Sequence, residues 1–357
     1  MKISAYNRAM ILAARWIAVF VVGMLSSAMG QVFRSDMFAE AGAIRIHVRE
    51  VRTGDVRGCR AILLVHGARV PGVASFDLPI AGGSLAEDLA QRGFCTYVMD
   101  VRGYGESTRP HEMEEPPEKH APLVQIVEAA RDIDAAVDLV RARTGMELVV
   151  LFGWATGGQW VGFYATLHPE KLSHLILLNA MYGADAPHPL MGHGSDMEDQ
   201  AHVGQLNPAI GAYRSNRADS LLGVWDRSIP TEDKSVWRDP AVAEAYVREA
   251  LASHPESGKH TPPCFRSLNG AMEDSFYLAI GRRLWDASLV YMPTLVVGTE
   301  RDFWSRAADR EKLREDLVHA PVRVVVIPRA THFVHLDHEE RGREVLIEEV
   351  VKFVGKR

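Results

Sequence analysis

The stretch Val149-Val150-Leu151-Phe152-Gly153-Trp154-Ala155-Thr156-Gly157-Gly158 decides the reading of this chain. Its first half is apolar and β-branched, and Glu147–Phe152 reads as a buried strand. Gly153 and Gly157 then bracket a sharp turn with Ala155 at its centre. A side chain at either glycine position would collide in such a turn. A helix follows from about Gly157 to Leu167. Its N-terminal N–H groups face the turn, which suits an anionic intermediate.

The flanking sequence repeats this grammar. Ala43–Val51 alternates apolar and polar residues, as a half-exposed strand does. Ala61–Val65 and Cys95–Met99 are continuous apolar runs, ending at His66-Gly67 and at Asp100. Leu123, Ile126, Val127, Ala130, Ile133, Val137 and Val140 recur at helical spacing, and Gly145 is placed to end that helix. Ser173–Leu178, Thr294–Gly298 and Val322–Ile327 read as further strands, and residues 339–353 as a final helix. Buried strands alternating with helices predict an α/β fold: a mostly parallel central sheet with helices on both faces. Residues 181–291 break the rhythm. They carry no strong strand run, are rich in Asp, His, Pro and Trp, and look helical near Ala241–Ala252 and Ser275–Leu284. They are expected to form an inserted helical cap, leaving 31–180 and 292–357 as the core. The charged run Glu112–Lys119, interrupted by Pro116 and Pro117, reads as a solvated loop.

With alanine in the middle, Gly153-Trp154-Ala155-Thr156-Gly157 resembles the Gly-x-Ser-x-Gly nucleophile elbow of the α/β-hydrolase superfamily, in its serine esterase and lipase-like form. Asp100-Val101-Arg102-Gly103-Tyr104-Gly105-Glu106-Ser107 resembles the Asp-x-x-Gly-x-Gly-x-Ser turn common there. Gly298-Thr299-Glu300-Arg301-Asp302 and Ala330-Thr331-His332-Phe333 follow late strands, where this family carries its acid and its histidine. The chain order of nucleophile position, acid and histidine agrees. The resemblance implies that His332 is the general base and that Asp302 orients it, with Glu300 as the other acid in reach. It implies oxyanion donors at the backbone N–H groups of Thr156 and of Ala68, directly after His66-Gly67. Gly67, Trp154 and Phe333 would border the substrate. His66 reads as a residue that shapes the loop rather than one that reacts.

Alanine has no proton to lose and no lone pair to attack with, so this chain is not expected to form an acyl-enzyme. Three explanations stay open: a Ser→Ala replacement that keeps an otherwise complete ester-hydrolysis site, a ligand-binding protein on a hydrolase fold, or direct base catalysis by His332. A serine at 155 would imply an exported carboxylic-ester hydrolase, with an acyltransferase as the neighbouring possibility. It would argue against dehalogenases and epoxide hydrolases, which place Asp there.

The rest of the composition narrows the partners. The 357 residues carry a net charge of −6 with Lys and Arg scattered, which offers no footprint for nucleic acid. Lys2, Arg8 and Arg15 precede an apolar stretch from Ile17 to Leu25 and then small residues ending at Ala28-Met29-Gly30. This reads as a signal peptide over residues 1–30, cleaved on export to the periplasm or beyond and leaving no stable membrane span; the alternative is an uncleaved anchor, against which Arg15 cuts the apolar run short of a spanning length. Cys59, Cys95 and Cys264 form no disulfide framework by spacing and read best as buried or free thiols. Asp185, His188, His193, Asp196, Asp199 and His202 have ligand chemistry but irregular spacing, so no metal is expected, and the triad mechanism needs no cofactor. The cap aromatics Trp225, Trp237, Phe265, Phe276, Tyr277 and Trp285 read mainly as core, and such a cap suits a small to medium, partly apolar ester as the partner.

Overall fold

Every residue of Ala61–Val65 and of Cys95–Met99 is buried, and strands covered on both faces need no polar alternation. They lie at the heart of a computed structural model that describes residues 30–355. The leader expected over 1–30 lies outside the described residues, apart from Gly30. In chain order the strands are β1 (Phe33–Ala41), β2 (Ile44–Arg52), β3 (Ala61–Val65), β4 (Cys95–Met99) and β5 (Val149–Trp154). They continue with β6 (Leu172–Leu178), β7 (Tyr213–Arg217), β8 (Cys264–Leu268), β9 (Thr294–Arg301) and β10 (Val322–Thr331).

Eight of them form one sheet in the order β1-β2-β4-β3-β5-β6-β9-β10. From β4 to β10 every pairing is parallel; β2 runs antiparallel to both β1 and β4. The sheet is therefore mostly parallel, with a core on each face. One face packs on the helices Ile126–Thr144 and Thr156–Leu167 through residues such as Ile133, Val137, Trp160 and Tyr164. The other packs on Leu85–Gln91 and Arg343–Val354 through Leu85, Leu89, Leu346 and Val350. Gly145 ends the long helix at φ 74, in the left-handed conformation its missing Cβ allows.

The structure corrects three expectations. The cap is not purely helical: β7 and β8 pair antiparallel across Tyr213–Leu268 to Arg217–Cys264. These strands are five residues long and carry Arg, Asn and Ser between the apolar positions, which hides them from a hydrophobic pattern. Strand β1 was also not anticipated. It is an edge strand with mostly exposed residues, paired within the sheet to β2 alone and tied to Asp77 and Glu87 through Arg34. Finally, Cys59 and Cys95 are joined by a disulfide, with Cα atoms 5.8 Å apart, while Cys264 is free and buried. Cys95 opens β4 and Cys59 lies just before β3, so sheet pairing brings together two residues 36 apart in sequence.

Among the described residues no helix is long and apolar enough to cross a membrane. The segment Glu112–Lys119 lies outside the main helices and strands, in short 3-10 turns, and only Met113 of the two turns is buried.

Candidate active site

The elbow forms as the glycines require. A Cβ on Gly153 would strike the Gly157 carbonyl, and one on Gly157 would strike the carbonyls of Val65 and His66. Ala155 stands between them at φ 53 and ψ −117, a conformation rare for a residue with a side chain. Holding it costs on the order of 1–3 kcal/mol, supplied by the surrounding packing. Thr156 begins the helix Thr156–Leu167, so its N–H lacks an intrahelical acceptor and is free for an anion.

Across the cavity, β9 and β10 deliver the acid and the histidine. His332 Nδ1 lies 2.6 Å from Asp302 Oδ1. Asp302 is itself held in place: Oδ1 accepts from Trp304 N–H at 2.9 Å, and Oδ2 from Ser305 N–H at 3.0 Å and Ser305 Oγ at 2.5 Å. A carboxylate so supplied with donors fixes the imidazole tautomer that keeps Nε2 as the basic nitrogen. The backbone carbonyl of His332 accepts from Trp154 Nε1 at 3.0 Å and from Asn179 Nδ2 at 3.3 Å, which ties the histidine loop to the elbow. Glu300 is elsewhere: it is exposed and accepts from the Arg329 N–H at 2.6 Å. Among the two acids expected, only Asp302 meets His332.

The loop after β3 is set by His66. Its Nε2 accepts from Val101 N–H at 3.1 Å, so its Nδ1 carries the proton and donates to the Gly67 carbonyl at 2.7 Å. Burial pushes His66 below the usual histidine range, in agreement with a neutral ring. In a trans peptide the C=O and the next N–H point opposite ways. Pinning the Gly67 carbonyl therefore aims the Ala68 N–H away from His66, and Ala68 lines the cavity. The Asp100 turn is a staple rather than a reacting group. Its carboxylate meets His47 Nδ1 at 2.8 Å and Gly72 N–H at 2.7 Å, and a Cβ at Gly105 would strike it.

These groups share one cavity of about 410 Å³. Gly67, Ala68, Trp154, Ala155, Thr156, His332 and Phe333 all line it. Its apolar wall comes from Met191, Met197, Met272, Phe303 and Trp304. The cap aromatics singled out in the sequence do not line it; Trp225, Phe265 and Phe276 are fully buried core. Four polar residues on the wall escaped the sequence reading: Arg69, Arg214, Asn216 and Tyr246. Arg69 had a signal, since it directly follows the expected oxyanion donor. Arg214, Asn216 and Tyr246 had none, because their approach depends on how the cap folds over the core.

No group of three or more His, Cys, Asp or Glu side chains among the described residues could hold a metal ion. In the loop rich in Asp and His, His193 pairs with Glu198, His202 with Asp199, and His188 Nε2 with the Trp304 carbonyl.

Residues 60–339 match the family model described as alpha/beta hydrolase fold. The chain belongs to this family. Among α/β-hydrolases it is similar to epoxide hydrolase 3 of Xenopus tropicalis, 25% identical over 268 residues, which cover 72% of this chain and 65% of that relative. The chain thus matches just under two thirds of that relative's length. Among solved structures it is similar to a thioesterase domain from the curacin biosynthetic pathway, with a TM-score of 0.58 and 15% identity over 89% of this chain and 99% of that one. It is also similar to E-2-(acetamidomethylene)succinate hydrolase, with a TM-score of 0.56 and 19% identity over 90% and 99%. At these identities the structural likeness establishes the shared hydrolase fold.

Proposed function

We propose that this cavity is built for a carboxylic ester to be opened through an acyl-enzyme, and that the chain with Ala155 holds such an ester without acylating. The observation that carries the reading is the His332–Asp302 pair at 2.6 Å, in one cavity with a strained elbow that presents residue 155. With serine at 155, His332 would take the hydroxyl proton as oxygen attacks the ester carbonyl. The N–H groups of Thr156 and Ala68 would receive the developing oxyanion, and His332 would return the proton to the leaving alcohol. Water would then release the acid by the same steps. Alanine removes only the first of these elements.

We also place the protein outside the cytoplasm. The basic-then-apolar N-terminus and the Cys59–Cys95 disulfide support an oxidising compartment.

The test is hydrolysis of p-nitrophenyl acetate and butyrate by the chain and by its Ala155→Ser variant. A gain of several orders of magnitude is expected, since loss of a triad serine costs on the order of 10⁶ in a comparable enzyme. Ala155→Asp assayed with styrene oxide is the control for the epoxide-opening branch. Epoxide turnover by the Asp variant, with none of ester by the Ser variant, would overturn the ester reading.

A further inference from the structure

Arg69 and Arg214 line the cavity, and none of its lining residues is Asp or Glu. Neither arginine forms an ion pair among the described residues. Both are partly buried and held by neutral oxygens. Arg69 Nε donates to Asn216 Oδ1 at 3.0 Å, and its Nη2 to the Ser220 carbonyl and hydroxyl at 3.2 Å. Arg214 Nη1 donates to the Leu268 carbonyl and to Asn269 Oδ1 at 3.0 Å, and its Nη2 to the Ala68 carbonyl at 2.9 Å. A further chain fixes the base of Arg69. Asn216 Nδ2 donates to Ser267 Oγ at 2.7 Å, which donates to the Arg69 carbonyl at 2.6 Å.

This construction is costly without a ligand. Two partly buried cations on one cavity wall, without an acid, repel and lose hydration. Burial pushes Arg214 down to about 10, which leaves it charged at neutral pH, and lowers Arg69 as well. The hydrogen bonds orient both guanidinium groups but cancel no charge. Arg69 Nη1 and Arg214 Nε have no hydrogen-bond partner among the described residues. The Tyr246 hydroxyl, also without a partner there, lines the same wall.

We propose that the cavity takes an ester that carries a free carboxylate, and that Arg69 and Arg214 receive that carboxylate. The proposal rests on the ester reading above and names its substrate class. A carboxylate, rather than a phosphate, fits the few unspent donors and the otherwise apolar wall of Met191, Met272 and Trp304.

Calorimetric binding to the Ala155 chain tests this without turnover. The probes are monoethyl glutarate, diethyl glutarate, glutarate and inorganic phosphate. The half-ester is expected to bind at least about tenfold tighter than the diester. Arg69→Gln should remove that preference, weakening the half-ester by a larger factor than the diester, and Arg69→Lys should keep part of it. Because Arg214 also holds the Ala68 carbonyl, Arg214→Gln is read by binding alone, beside a melting curve that reports folding. In the Ala155→Ser enzyme, Arg69→Gln should raise KM for mono-p-nitrophenyl glutarate by a larger factor than KM for p-nitrophenyl butyrate. Equal binding of half-ester and diester, or arginine variants that weaken both alike, would overturn the proposal while leaving the ester reading standing. Phosphate binding tighter than the half-ester would also overturn it. Binding of glutarate with no added affinity for its half-ester would instead support the anion site and count against the ester reading.

Discussion

At residue 155 the chain has a strained strand-turn-helix elbow with an alanine at its centre. The left-handed φ of Ala155, the Thr156 N–H and the His66-pinned Ala68 peptide do not depend on a serine hydroxyl. The proposed machinery around residue 155 can therefore be dissected in the Ala155→Ser background. There, Asp302→Asn is expected to lower kcat by on the order of 10⁴, as an amide lets the histidine settle in the wrong tautomer. Glu300→Gln should leave the rate within a factor of about two, because Glu300 faces Arg329 and solvent. Steady-state kinetics of the two variants checks both statements; a reversed order would make Glu300 the working acid. The motif puts Asp302 ahead of Glu300, two residues away, and the meeting of Asp302 with His332 is a matter of geometry. It depends on where the bulge between Ile327 and Thr331 carries His332.

At the scale of elements, the strand-turn-helix unit was readable because it is local. Apolar strand, two glycines and helix follow each other within about twenty residues, and each obeys its own periodicity. The disulfide was not readable, because it is a product of strand pairing: Ala61 pairs with Cys95, and Cys59 lies two residues upstream. Closing a loop of this size should contribute about 3–4 kcal/mol through the unfolded chain. The Cys59→Ala/Cys95→Ala double variant should therefore unfold at a clearly lower urea midpoint with little change in the cavity. Titration of thiols in the unfolded, unreduced protein should find only Cys264 among the three cysteines. Three titratable thiols would remove both the bridge and its support for an oxidising compartment.

Across the whole molecule, buried acids and histidines pull stability in opposite directions with pH. Asp274 is buried against Trp160, whose Nε1 donates to it at 3.3 Å; burial, followed by the charge of Glu273, pushes its carboxyl up to about 8. The folded state thus holds a proton that the unfolded chain has released above its ordinary range near 4. Between about pH 4 and pH 8 the folded state binds more protons at this site, so its contribution falls as pH rises and levels off above 8. Asp274→Asn should remove that slope. The variant should be more stable than its parent at pH 9, with the advantage shrinking toward pH 4. Urea unfolding at both pH values measures it; a pH-independent difference would show that Asp274 is ionised in the fold. His335 and His66 act the other way. Burial holds both below the ordinary range, so the unfolded chain takes up protons first and stability falls as pH drops through about 6.5.

What the sequence by itself determined is what short-range pattern encodes. It determined the mostly parallel sheet, the elbow around Ala155, the helix ended by Gly145, and the order of residue 155, Asp302 and His332 along the chain. Those follow from periodicity and from glycines that remove collisions between close neighbours. Only the tertiary structure decided that Cys59 reaches Cys95, and that Arg69, Arg214 and Tyr246 face one cavity. Each of these joins segments far apart in sequence, and their meeting depends on sheet register and on how the cap closes over the core. An arginine's charge is visible in a sequence, but the lack of an acid beside it becomes visible only when the neighbours are in place.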